Sequence, residues 1–398
     1  MNKLIKLTEA PAASTADAPS LKASLELGFR LIYPAGALWA AIAIAVWIFA
    51  PQALTGMLQG VAWHAHEMLW GFIATIAVGF LLTAGANWTG RNPLRAAPLA
   101  ALLGLWLLAR VGFLMPGLGA FRVAAVSELL FFAGAALALA LAIVGSRNTR
   151  NYGVPVMVLA LGAADAWFLW VAANGNYIEL MQAMDSGLLV MAAIALLMAR
   201  RVIPFFAMRA IPVLELPKQT RSGQVQLVAC VAALVCLLAG LSQPLAGFLV
   251  LAGVTSLYQL LTWKPLRVKQ NPLLWILYAG YAALGCGLIA AAVHVLNPAI
   301  RIAVHVHVIA MGGFSVLIIG MLTRTALGHL GRPLKLDRSM QASYWLMLLA
   351  VVLRLCALVP GNHAGLLLQM AALAWMAVFA LYLWRFFPMM IRPRADAR

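Results

Sequence analysis

The sequence predicts an all-α integral membrane protein with about twelve transmembrane helices. Of its 398 residues, 64% are hydrophobic and 10% charged, against about a quarter charged in an ordinary soluble chain. The apolar residues gather into windows of roughly twenty, the length at which a helix crosses a bilayer. The basic residues recur in alternate connections, a pattern that assigns sides.

Taken in order, residues 1–25 are polar and rich in Ala, Pro, Ser and Thr. Lys3 and Lys6 are not followed by a long apolar run, so this segment reads as a mobile cytoplasmic tail and not as a cleaved leader. Residues 26–390 read as one transmembrane domain, with windows near 31–50, 61–88, 96–115, 121–145, 152–172 and 180–201. Six more lie near 224–241, 244–263, 273–295, 302–326, 341–358 and 364–386. Backbone polar groups have no water to bond within lipid, so each window must be a helix. Residues 391–398 form a basic cytoplasmic tail.

With the N-terminus in the cytoplasm, all of the 28 Lys and Arg fall in the tails and cytoplasmic connections except Arg110, Arg122, Arg301 and Arg354. That bias places both termini in the cytoplasm. The net charge of +17 is then a topology signal and not a nucleic-acid surface. Cys230, Cys236, Cys286 and Cys356 lie scattered in apolar windows without a CxxC pair and read as small buried apolar residues.

The same orientation collects every histidine but His329 near the outer face: His64, His66, His294, His305, His307 and His363. His329 falls at a cytoplasmic helix end, where the dipole favours it. The stretch "HAHEMLWGFIATIAVGFL" aligns without gaps on "HVHVIAMGGFSVLIIGML", pairing His64 with His305, His66 with His307, Gly71 with Gly312 and Gly79 with Gly320. In the following helices "RVGFLMPG" from Arg110 answers "RLCALVPG" from Arg354. Helices 2 and 3 thus resemble helices 10 and 11. An offset of eight helices fits three units of four and not two inverted halves. The middle unit then puts Gln182 where a second histidine would stand.

Residues two apart on an α-helix point about 200° apart. His305 and His307 therefore serve two sites, one on each side of helix 10, and His64 and His66 do the same on helix 2. A flat cofactor ligated by one imidazole from each helix suits this geometry, and haem iron accepts axial histidines. Glu67 is one turn from His64 and is placed to orient its ring. Arg110 and Arg354 are costly within a membrane and need anionic partners. Haem propionates suit them, as do Glu67, Glu128, Asp165 and Asp185. Met68 and Met311, with His294, are further candidate metal ligands, although methionine more often packs. Asp165 is a candidate proton-relay group.

The runs "HAHEMLWGF…GFLLTAGANWTGR" and "MLTRTALGHLGRPL" resemble signatures of the NnrS family of bacterial inner-membrane proteins, over residues of about 25 to 390. The resemblance implies haem and copper, and a part in the response to nitric oxide and nitrosative stress, often beside denitrification. A more distant similarity is to the main subunit of haem–copper oxidases, where an HxH on helix 10 serves two haems. It implies one or two haem b groups, with His307 sharing a bis-histidine haem with His64 or His66, and His305 facing a second site. No histidine lies between His66 and His294, so the oxidase copper site on helices 6 and 7 is absent, and oxidase-type catalysis is not implied. Two other functions compete. One is a quinol-linked membrane cytochrome b. The other is an anion or metal transporter built on the His, Arg and Asp residues. The partners expected are the lipid bilayer, a small diatomic ligand such as nitric oxide, and an electron donor whose identity the residues do not specify.

Overall fold

A computed structural model describes residues 18–396. The mobile tail expected at the N-terminus falls mostly outside these residues. Its described end is not loose, because a helical turn at Leu21–Ser24 is capped by Ser20. The Ser20 amide donates to the Ile391 carbonyl at 2.7 Å. Arg30 donates to the carbonyls of Met390 and Arg392 at 3.0 and 2.6 Å. The two ends of the described chain are therefore clasped together.

All twelve expected spans are present. They are α1 (Gly28–Phe49), α2 (Gly60–Thr89), α3 (Ala96–Leu114), α4 (Leu118–Gly145), α5 (Thr149–Asn174) and α6 (Tyr177–Ala210). They continue as α7 (Thr220–Leu238), α8 (Ser242–Thr262), α9 (Pro272–Leu296), α10 (Ile302–His329), α11 (Arg338–Cys356) and α12 (Ala364–Met390). Among the described residues there is no strand. Cys230 and Cys236 are buried as expected, whereas Cys286 and Cys356 face outward, on a protein surface that is itself apolar.

Sequence neighbours pack side by side, and α12 returns to pack on α1. α2, α6 and α10 touch one another at the centre, and α2 and α6 are the most enclosed spans, 83% and 72% buried. These are the second helices of three four-helix units, the arrangement the repeat predicts. One of the two matched glycine pairs, Gly79 and Gly320, does matched work. A Cβ on Gly79 would lie 2.9 Å from Ile32 of α1. One on Gly320 would lie 2.7 Å from Leu277 of α9. In the first and third units the second helix presses its backbone against the first, where a glycine leaves the room.

The repeat also shows in the backbone. α2 changes to π-helical winding over Glu67–Ala74, and α10 does so over Val308–Ser315, at matched positions directly after each second histidine. A hydroxyl closes each stretch: Thr75 donates to the Trp70 carbonyl at 2.9 Å and Ser315 to the Ala310 carbonyl at 2.8 Å. Winding of this kind is uncommon and concentrates at functional sites. Hydropathy does not reveal it, because the apolar content is unchanged.

α11 starts at Asp337, whose carboxylate accepts from the Met340 amide at 3.0 Å and the Ser339 hydroxyl at 2.7 Å, and pairs with Arg385 of α12. Burial alone would raise this carboxyl. The hydrogen bonds and Arg385 outweigh it and hold it below the usual carboxylate range. A depressed carboxyl stabilises the fold above its unfolded value and loses that contribution as pH falls through the folded one. Asp337→Ala is expected to cost about 1 kcal/mol at neutral pH. The deficit should shrink as melting is followed down through the acid range; a pH-independent deficit would contradict the cap.

Candidate functional site

The first residues of α2 and α10 bring histidines from both repeats to one end of the bundle. His64 is four residues into α2, about 6 Å along the helix, and is half-buried. Its ring lies parallel to Trp47 of α1, with centroids 5.2 Å apart and planes at 7°. It also meets His307, with centroids 6.4 Å apart and planes at 21°. Position 1 of one repeat thus meets position 2 of the other.

His307 has a defined tautomer. Its Nδ1 lies 2.7 Å from the Ala303 carbonyl, an atom that can only accept, so Nδ1 carries the proton and Nε2 keeps its lone pair. That is the arrangement of a metal-ligating histidine. His64 Nδ1 is buried without a hydrogen-bond partner. Two imidazoles that each hold one metal through nitrogen at ~2 Å have centroids about 6 Å apart. The separation of the His64 and His307 rings matches that value. Arg354 of α11 acts electrostatically on both rings. Among the described residues no carboxylate lies within ion-pair distance of it.

The other two histidines of the HxH motifs turn away. His305, 3% exposed, packs on His294 of α9 with centroids 4.9 Å apart. Its Nε2 lies 3.6 Å from Asp185 Oδ1 of α6. His294 Nδ1 donates to the Ile300 carbonyl at 2.6 Å, which leaves its Nε2 free. His305 Nδ1 and Asp185 Oδ1 are buried without hydrogen bonds. This small set offers two imidazoles and one carboxylate.

His66 enters a different environment. Its Nδ1 lies 3.0 Å from Glu67 Oε1. Its Nε2 lies 3.0 Å from Asp165 Oδ1 of α5 and 3.3 Å from Glu128 Oε2 of α4. Arg110 of α3 donates to Glu67 Oε2 at 2.5 Å and pairs with Glu128. Trp39 of α1 donates to the same Glu67 oxygen at 2.6 Å. Phe113 and Phe168 pack on the imidazole. No solvent reaches His66, Glu67, Glu128 or Asp165. Gly71 makes room, since a Cβ there would lie 2.7 Å from Glu67 Oε2 and overlap the Arg110 guanidinium.

The structure separates the expected residues. His66 has both ring nitrogens on carboxylates and stands apart from the His64–His307 ring pair. Of the anionic partners expected for Arg110, the structure supplies Glu67 and Glu128. Glu67 orients His66 and not His64. Met68 and Met311 lie in the two π-helical stretches, partly buried against the core. Gln182 donates to the Leu237 carbonyl at 2.9 Å, away from the histidines. His329 ends α10 and packs on Phe29.

The acidic set carries one more carboxylate than the sum of Arg110 and a protonated His66. Neutrality therefore needs either a further proton or a bound cation. His66, Glu128 and Asp165 offer ligand atoms within 4.8 Å of one another. Glu128 Oε1 and Asp165 Oδ2 have no donor. One imidazole with two carboxylates suits a hard or intermediate divalent cation better than copper. With His66 neutral, such a cation balances the charge.

The sequence profile of the family described as NnrS protein matches residues 23–394. No curated protein matches the chain.

Proposed function

The chain belongs to the NnrS family, and from that premise we propose that it is a haem-bearing membrane protein of the bacterial nitric oxide response. In this reading His64 and His307 would hold a haem b between α2 and α10. The observation that carries it is the ring pair at 6.4 Å, with His307 Nε2 free by virtue of the Ala303 hydrogen bond. Arg354, without a carboxylate of its own, supplies a cation for a propionate. Copper is assigned to the neighbouring His294–His305 pair. Its support is two rings 4.9 Å apart with one free Nε2. The distribution of basic residues supports the histidine end facing the periplasm and both termini facing the cytoplasm.

Each residue has a role that does not depend on further chemistry. The Ala303 carbonyl fixes the His307 tautomer, Trp47 holds the His64 ring by stacking, and Arg354 neutralises an anion at the rim. The haem held by His64 and His307 would supply electron transfer. An optical spectrum of the purified protein, oxidised and reduced, with metal analysis of the same sample, tests the reading. A sharp low-spin haem b signal with stoichiometric iron is expected. Folded protein that takes up no haem when haem is supplied would refute it.

A further inference from the structure

At the opposite end of the bundle the three central helices part around a cavity of about 920 Å³. α2 contributes Phe80, Thr83 and Trp88, α6 contributes Met198, Arg201 and Arg209, and α10 contributes Met321 and Arg324. Arg150 and Asn151, at the start of α5, complete the rim. The wall holds four arginines and no acidic residue. Among the described residues none of the four has a carboxylate within ion-pair distance. A cavity with one sign of charge and low-dielectric walls concentrates counter-ions.

Arg324 is the decisive residue. It is 5% exposed, and its guanidinium makes no hydrogen bond to the described protein. Its guanidinium stacks on Phe206, 3.8 Å from the ring centroid. Stacking uses the flat face and leaves the N–H donors, which lie in the plane, unspent. Arg201 is different in degree: it donates to Asn151 Oδ1 at 2.7 Å, which holds it at the wall. A structural role explains that bond, but it does not explain a nearly buried guanidinium that faces the cavity with no protein acceptor.

The cavity does not end in polar groups. Phe80, Met198, Val202 and Met321 also line a narrower apolar cleft that continues along α2, α6 and α10, past Ile76 and Leu317. The site therefore has a cationic mouth and an apolar throat. Arginine forks match phosphate and carboxylate oxygens in pairs, and the volume is within the usual range for a small-molecule site. We propose that this cavity binds an oxyanion-bearing amphiphile, its phosphate or carboxylate against Arg201 and Arg324 and its apolar part in the throat between α2, α6 and α10. The shared chemistry is the oxyanion head. It is carried either by an anionic lipid or by a soluble molecule.

The test uses the full chain in two arms. In the lipid arm the protein is reconstituted in nanodiscs of phosphatidylcholine with phosphatidylglycerol, extracted, and its retained lipid counted by native mass spectrometry. In the soluble arm inorganic pyrophosphate is titrated against thermal unfolding in detergent. Wild type is expected to retain phosphatidylglycerol selectively, or to be stabilised by pyrophosphate. Arg324→Gln should weaken that binding about tenfold or more, the loss of one charge-assisted contact. Arg122→Gln, an exposed site near the start of α4, should not. If Arg324→Gln does not fold, Arg201→Gln takes its place. A response in the lipid arm alone identifies a lipid source, and one in the pyrophosphate arm a soluble source. No response of wild type in either arm, or equal responses of wild type and both arginine variants, overturns the proposal.

Discussion

Replacing His307 or His64 with alanine is expected to abolish low-spin haem binding, while replacing His66 leaves the haem content of folded protein unchanged. The sequence treats the two members of each HxH as near equivalents. The structure separates them. His64 and His307 face each other at 6.4 Å, whereas His66 is enclosed by Glu67, Glu128 and Asp165. Loss of an outer hydrogen-bond partner of a metal ligand costs ~10–100-fold in affinity, so removing an axial ligand should cost more. The readout is the haem-to-protein ratio and the reduced spectrum of each variant. His305→Ala serves as the internal comparison, since His305 faces His294 and Asp185. It should retain the haem and lose copper. A His66→Ala protein that folds yet lacks haem, or a His307→Ala protein that keeps its spectrum, would remove the proposed ligand pair.

The second large effect concerns the buried charges. Arg110→Leu leaves Glu67 and Glu128 without their guanidinium in a region that excludes water. Breaking a buried pair by deleting one partner costs about 3–5 kcal/mol. A pronounced fall in melting temperature is therefore expected, with reduced yield of folded protein. The double replacement Arg110→Leu with Glu128→Gln should recover part of the loss, because it removes an uncompensated charge as well as the base. If the double variant is no more stable than Arg110→Leu alone, the balance of charges is not what holds this region together. Adding a divalent cation such as Mn²⁺ to the wild type reads the same set from the other side. A rise in melting temperature that Asp165→Asn abolishes would identify a metal on His66, Glu128 and Asp165.

These two predictions draw on different parts of what the chain encodes. The HxH motifs and the gap-free match around them are visible in the letters. So is the need of Arg110 for an anion, and Glu67, Glu128 and Asp165 were visible as candidates for it. Which anion it takes is not visible, because Glu128 and Asp165 arrive on α4 and α5 and must be packed against α2 before they can compete. The crosswise meeting of His64 with His307 was likewise one of two open pairings. Asp185 beside His305 depends on α6, the helix whose matched position holds Gln182 in place of a histidine. The basic cavity was missed altogether. Its arginines are spread over α5, α6 and α10, and in a list of charges they read only as topology.

By itself the sequence determined the twelve spans, their grouping in fours and the gathering of histidines at one end. Each of these rests on a local requirement: every backbone group in lipid must find its partner within its own helix, and every charge must choose a side. Tertiary structure alone decided which face of each helix meets which neighbour. The π-helical stretches after His66 and His307 change how the helices wind beyond them, and the glycine contacts at Gly79 and Gly320 set how closely they approach. Those are sums of many long-range contacts, and in them an imidazole two residues along the chain comes to serve a different site.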